Sequence, residues 1–190
     1  MASQKLNTVR INAGEWRSRL IKFPDASGLR PTPERVRQTV FNWLGQELSG
    51  QTCLDLFAGT GVMGFEALSR GATSVTLVEK SMPAYKALLE NKQLLKAEQA
   101  QVQHQDAMLF LNTNQQKFNL IFLDPPYNQQ WLAKVLPLLA PHLSADGFIY
   151  AEAEFAIDAN ADFATGWQLV KQSKAGNVFY HLLKSTNNNN

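Results

Sequence analysis

The stretch Cys53-Leu54-Asp55-Leu56-Phe57-Ala58-Gly59-Thr60-Gly61-Val62-Met63-Gly64 decides the fold. Residues 52–57 form a short apolar run that reads as a buried strand, and residues 62–69 carry a helical pattern. Between them, residues 59–64 match G-x-G-x-x-G. Small residues at such a bend let a ligand approach the backbone, and the helix that follows presents its free N–H groups. The pattern alone suits either the pyrophosphate of a dinucleotide or the amino-acid end and ribose of S-adenosylmethionine. Asp55 leans toward the second, because a carboxylate there repels a pyrophosphate and attracts an ammonium group.

Outward from this loop the same rhythm repeats. Strand patterns at 74–78, 101–104, 118–123 and 147–152 alternate with helical patterns at 81–96, from 106 onward, and at 131–139, where Pro137 limits the helix. Repeated strand–helix units predict a mainly parallel sheet with helices on both faces. Strands at 167–171 and 178–183 flank the Gly176-Asn177 turn without a helix between them, which predicts an antiparallel hairpin at one edge. Ahead of the loop, residues 8–23 read as two short strands around Gly14. Thr32 and Pro33 then open a helix whose Val36, Val40, Phe41, Trp43, Leu44 and Leu48 share one face.

At 190 residues the chain fits one domain, and its 45% hydrophobic content excludes wholesale disorder. The single cysteine, Cys53, excludes an intramolecular disulfide and points to a reducing compartment. The polar start lacks a secretory apolar core, and nowhere do about 18 apolar residues run together, so a cytoplasmic protein without a membrane partner is expected. His104, His142 and His181 stand singly and fit no metal spacing, so no metal is expected. Charge is uneven. The first 40 residues hold eight basic groups against three acidic ones, while the other 150 hold ten against thirteen. A basic arm on a mildly acidic body suits a polyanion.

Two acids follow later strands. Glu79 ends the strand at 74–78, the first after the loop, and can accept from ribose hydroxyls. Asp106 follows the next strand and can accept from an adenine amine or cap the helix after it. The most specific segment is Asp124-Pro125-Pro126-Tyr127, at the end of the apolar run Leu120-Ile121-Phe122-Leu123. The prolines stiffen the backbone and remove two donors while leaving carbonyls to accept. Asp124 and the Pro125 carbonyl can grip both protons of a planar NH₂ group, with Tyr127 stacked on the ring that bears it. That arrangement suits methyl transfer to an exocyclic amine, a poor nucleophile that needs alignment and a partner for developing positive charge.

Asp55-Leu56-Phe57-Ala58-Gly59-Thr60-Gly61 and Asp124-Pro125-Pro126-Tyr127 resemble the two motifs of amino-methylating class I methyltransferases. Arg10-Ile11-Asn12-Ala13-Gly14-Glu15-Trp16-Arg17-Ser18-Arg19, Leu29-Arg30-Pro31-Thr32-Pro33-Glu34-Arg35-Val36-Arg37 and Phe41-Asn42-Trp43-Leu44 look like the RsmD family, over residues 9–184. The resemblance implies a seven-stranded Rossmann-like α/β fold with S-adenosylmethionine as donor. It implies methylation of N2 of guanine 966 of 16S rRNA, in an assembled or partly assembled 30S particle. By position it makes Asp55, Phe57, Gly59, Thr60, Gly61, Glu79 and Asp106 cofactor residues, and Asp124, Pro125, Pro126 and Tyr127 the amine site.

The chain is expected to divide into a basic hairpin arm (1–31), a methyltransferase domain (32–184) and a disordered polar tail (185–190), and to act as a monomer. Arg10, Arg17, Arg19, Arg30, Arg35 and Arg37 are expected to meet RNA phosphates or the cofactor side of the cleft. Trp16 either stacks on a base or pins the hairpin to the body. A DNA adenine-N6 methyltransferase, an NAD-dependent oxidoreductase and a non-enzymatic RNA-binding assembly factor are the competing readings.

Overall fold

The computed structural model describes residues 6–127, 130–158 and 161–186. A hairpin of β1 (Leu6–Arg10) and β2 (Leu20–Pro24) leads into α1 (Glu34–Leu44). Strands and helices then alternate: β3 (Thr52–Asp55), α2 (Val62–Ser69), β4 (Ser74–Glu79), α3 (Met82–Leu95), β5 (Ala100–His104), α4 (Ala107–Thr113), β6 (Phe118–Leu123), α5 (Trp131–Val135) and β7 (Leu143–Ala153). β8 (Trp167–Ala175) and β9 (Val178–Ser185) close the chain as an antiparallel hairpin.

The seven-stranded sheet has the order β5-β4-β3-β6-β7-β9-β8, with β9 antiparallel to β7 and the first five strands parallel. From β3 the chain builds outward to β4 and β5, then returns to add β6 on the other side. That reversal makes the carboxyl ends of β3 and β6 the crevice where open α/β sheets hold ligands. The Rossmann-like architecture expected from the strand–helix rhythm is therefore present.

Alternation along each strand separates two cores. Cys53, Leu120, Phe122 and Tyr150 face the layer containing Phe41, Phe65 and Leu88. Leu54, Ile121, Ile149 and Leu183 face Phe110, Val135 and Leu139. Asp55 falls on the first face by the same alternation.

The hairpin joins the first core through Ile11, Trp16 and Ile21. Asn91 of α3 grips β2 by accepting from Lys22 N–H at 2.9 Å and donating to its carbonyl at 2.7 Å. The loop between β1 and β2 seats on the end of α2, where Glu15 N–H donates to Ser69 O at 2.7 Å and Trp16 N–H donates to Ser69 Oγ at 2.9 Å. Gly14, at φ +80°, presses so closely there that an added Cβ would stand 1.7 Å from Ser69 O. Trp16 is 7% exposed, so it pins the hairpin and presents no face for a base to stack on. Arg37 also departs from expectation. It is 1% exposed and bound to Glu66 of α2, which removes it from any phosphate surface.

Other differences are local. Thr32 makes no cap for α1, whose preceding residue is Pro33. α5 stops at Val135, and two 3₁₀ turns built on Pro137 and Pro141 follow it. β7 starts at Leu143, earlier than its apolar run suggests, across a register shift against β6. Ser185, expected to open the disordered tail, is instead paired in β9 with Trp167, and Asn187–Asn190, like residues 1–5, lie outside the described residues.

Candidate active site

Asp55 stands at the end of β3, buried, with Oδ2 accepting from Gly64 N–H at 3.3 Å. Burial pushes its carboxyl up to about 7; the Gly64 bond opposes the shift, and repulsion from Glu79 and Glu152 adds to it. The chain then turns through Gly59 and Gly61, the latter at φ +77°. A Cβ on Gly61 would lie 2.4 Å from Leu88 Cδ2 and 2.8 Å from Phe65 Cε2, so only glycine closes this turn against α3. Thr60 is buried and its Oγ1 accepts from Val62 N–H at 3.3 Å. Phe57 is half-buried, edge-on to Trp131 of α5 at 5.4 Å.

Glu79, at the end of β4, braces this loop. Its Oε2 accepts from Gly59 N–H at 2.8 Å and its Oε1 from Ser81 N–H at 2.6 Å. Asp106 caps α4 through Oδ1 to Met108 N–H at 2.9 Å and pairs through Oδ2 with Lys80 Nζ at 3.1 Å. Partial burial works against ionisation, yet the Lys80 and Met108 bonds hold this carboxyl below its ordinary range.

Asp124 leaves the end of β6. Pro125 behind it is buried, while Pro126 and Tyr127 face solvent, Tyr127 at 43% exposure. Phe122 pairs with both Asp55 and Tyr150, and Leu123 pairs with Ala151. One step on, Asp124 falls beside Glu152, on the same sheet face as Asp55. Burial lifts the Asp124 carboxyl well above its ordinary value, and repulsion from Glu152 and Asp55 lifts it further. Burial also raises Glu152 and the Tyr127 phenol, the latter aided by Asp124.

Glu152 went unnoticed in the sequence. Its signal is a carboxylate on alternate register with Tyr150 inside the apolar run Phe148–Ala153 of β7. Tyr150 Oη donates to Glu152 Oε1 at 2.7 Å, and the Thr32 side chain is close enough to help hold the same carboxylate down against burial. Thr32 therefore brings the Arg30-Pro31-Thr32-Pro33 segment up to Glu152, beside Asp124. Just upstream, Leu29 Cδ1 lies 3.1 Å from where a Cβ on Gly59 would stand, so this segment also covers the glycine loop.

The arginines divide into two groups. Arg10, Arg17, Arg19, Arg30 and Arg35 are exposed. Arg10 donates to Ser18 O at 3.2 Å within the hairpin, and Arg19 to Leu94 O of α3 at 2.9 Å. Arg37 and Arg70 instead enclose Glu66, at 3.0 and 2.9 Å. Glu66 also accepts from Asn12 N–H at 2.8 Å and Ala13 N–H at 3.1 Å, so the arm hangs on the helix that carries the glycine loop.

The electrostatics of the cleft select its ligand. Burial lifts the carboxyls of both Asp55 and Asp124, and repulsion from Glu79 and Glu152 at Asp55, and from Glu152 and Asp55 at Asp124, lifts them further, so a cation entering the cleft is favoured and a pyrophosphate is repelled. Among the described residues, no group of three or more His, Cys, Asp or Glu side chains is placed to hold a metal ion.

The family model described as "Conserved hypothetical protein 95" matches residues 9–184. Ribosomal RNA small subunit methyltransferase D of Escherichia coli K12 is 39% identical over 176 residues, covering 92% of this chain and 88% of the relative. The chain belongs to the RsmD family. The Haemophilus influenzae member of that name is 40% identical over 183 residues, covering 93% of this RsmD-family chain and 94% of its own length. A solved putative methyltransferase from Escherichia coli superposes with a TM-score of 0.81 at 38% identity, over 94% of this chain and 98% of that one. A putative methyltransferase solved in complex with SAH shares the fold alone, with a TM-score of 0.69 at 17% identity over 86% of this chain and 53% of the other. These relatives carry the names of methyltransferases, which leaves the dinucleotide oxidoreductase without support. No helix among the described residues is long and apolar enough to cross a membrane.

Proposed function

We propose that this RsmD-family chain transfers a methyl group from S-adenosylmethionine to the exocyclic N2 of a guanine in small-subunit ribosomal RNA. By family position the target is guanine 966, presented on an assembled or partly assembled 30S particle to a monomeric, cytoplasmic enzyme. The observation that carries this reading is the register that sets Asp124 beside the switch point of the sheet, on the face Asp55 shares with the glycine loop.

The residues present fit the donor. Asp55 offers a buried carboxylate for its ammonium group, the Gly59–Gly61 turn leaves backbone room, and Glu79 and Asp106 stand at the strand ends for its ribose and adenine. When bound, the donor supplies a sulfonium-activated methyl group and departs as a neutral thioether. Asp124 and the Pro125 carbonyl accept from the two N2 protons and aim the nitrogen lone pair along the line of transfer. Tyr127 covers the ring of a guanine drawn out of its stack. Asp124 then opposes the positive charge that grows on nitrogen. Arg10, Arg17, Arg19, Arg30 and Arg35 are assigned to RNA phosphates, with residues 1–31 as the RNA-facing arm on the 32–184 domain.

The test maps labelled methyl groups on ribosomal RNA from cells lacking the protein after it is added back. N2-methylguanine in small-subunit RNA is expected, and methyladenine in DNA or no transfer at all would overturn the proposal. Asp124→Ala is expected to abolish transfer while donor binding, followed by calorimetry, stays within a few-fold of wild type.

A further inference from the structure

The proposed transfer leaves Glu152 without a part, yet the fold builds this side chain into the site with care. It is 3% exposed, pinned by the Tyr150 hydroxyl at 2.7 Å, with Thr32 close by, and placed by strand register at the side of Asp124. Neighbouring strands run about 4.8 Å apart, so the two carboxylates are direct lateral neighbours. Burial works against charge on Glu152, while the donated Tyr150 bond and the nearby Thr32 side chain favour it. Of the two carboxylates, Asp124, further along the same face, is then the one that takes up a proton first.

Resting on the proposed amine methylation, we propose that Glu152 is the positioning residue that makes Asp124 the acceptor of the proton leaving the amine. The balance is simple. The nitrogen lone pair forms the new N–C bond, the C–S bond breaks with its electrons going to sulfur, and the N–H electrons stay on nitrogen as the proton passes to the Asp124 carboxylate. A solitary exposed aspartate is a weak base for this step. The neighbouring Glu152 charge strengthens it, which brings its proton affinity toward the working pH. The groups facing the pair are Asp55 from β3, with Glu79 behind it; Tyr150 on β7; Tyr180, the register partner of Glu152 on β9; Thr32 ahead of α1; and Tyr127 beyond Asp124.

The experiment compares wild type with Glu152→Gln, which preserves shape and an acceptor for Tyr150. With donor and 30S substrate saturating, the acidic limb of the rate profile is expected to move down by at least one pH unit in the variant, with the plateau reduced about tenfold. In the cofactor-free proteins, ¹³C carboxyl titration is expected to show Asp124 ionising at lower pH in the variant. An unmoved acidic limb and unmoved Asp124 titration overturn the inference while wild-type transfer still upholds the methylation itself. Titration of wild type alone also decides it if the variant fails to fold. Asp124 ionising in the ordinary carboxylate range, independently of Glu152, is incompatible with the assigned role.

Discussion

Arg37 Nη1 lies 3.0 Å from Glu66 Oε2 with both side chains sealed from water, and the same Nη1 donates to the Arg10 carbonyl at 3.0 Å. One guanidinium thus joins α1, α2 and the end of β1. Removing one member of a buried ion pair leaves its partner charged and unsolvated, which costs about 3–5 kcal/mol. Arg37→Ala is expected to lower stability by about that amount in urea unfolding. Arg37→Lys recovers only part of it, because an ammonium cannot serve the Glu66 carboxylate, the Arg10 carbonyl and the Thr32 carbonyl together. A loss below about 1 kcal/mol for the alanine variant would show that Arg70 alone satisfies Glu66.

Gly14 gives a sharper probe of the arm. A methyl group there collides with the Ser69 carbonyl, backbone that cannot rotate away, and the φ of +80° is strained for any side chain. Gly14→Ala is expected to lift the hairpin loop from α2 and weaken binding to small subunits by tenfold or more. Donor affinity changes little, because the Asp55–Gly64 loop lies at the opposite end of α2. Equal weakening of donor and subunit binding would indicate general unfolding in place of a displaced arm.

The parallel sheet, its antiparallel edge and the two motif loops were legible because each rests on local pattern. Apolar runs of four to six residues, glycines at the bend and prolines after Asp124 report backbone needs that neighbouring residues alone determine. What escaped was set by contacts distant in sequence. Arg37 stood among arginines of similar appearance, and only its alignment with Glu66, 29 positions on, separates a structural ion pair from a phosphate contact. Glu152 met Asp124 through a strand pairing whose register shifts between Phe118 and Leu120, so spacing could not align them. Trp16 had two readings of equal weight, and its seat in the core decides between them.

Exposed and buried arginines are expected to part company in salt dependence. Each phosphate that a variant leaves unneutralised lowers the slope of log affinity against log salt by about 0.7–0.9. Arg17→Ala and Arg30→Ala remove exposed guanidinium groups without touching the core. Each is expected to weaken RNA binding about equally across sequences and to reduce the slope by roughly the share of one phosphate. Filter binding at several salt concentrations measures this. An unchanged slope for both variants would remove these two residues from the RNA surface.

As the proposed partner of the donor's ammonium group, Asp55 is expected to make donor binding depend on pH. Its carboxyl is pushed up to about 7 in the folded chain, against about 3.9 for an unperturbed aspartate. The folded protein therefore holds this proton more tightly than the unfolded one, so the contribution of Asp55 to stability declines as pH rises from about 4 to 7 and is level above that. In cofactor-free protein at pH 8, Asp55→Asn is expected to raise stability by on the order of 2 kcal/mol while losing donor affinity. A donor ammonium needs the ionised carboxylate, so wild-type affinity is expected to fall about tenfold for each pH unit below about 7, with a proton released on binding at pH 6. Calorimetry in buffers of different ionisation enthalpy counts that proton. S-adenosylhomocysteine, which keeps the ammonium but lacks the sulfonium charge, is expected to show the same dependence. Affinity level between pH 5.5 and 8 would place the ammonium elsewhere and take Asp55 out of the cofactor site.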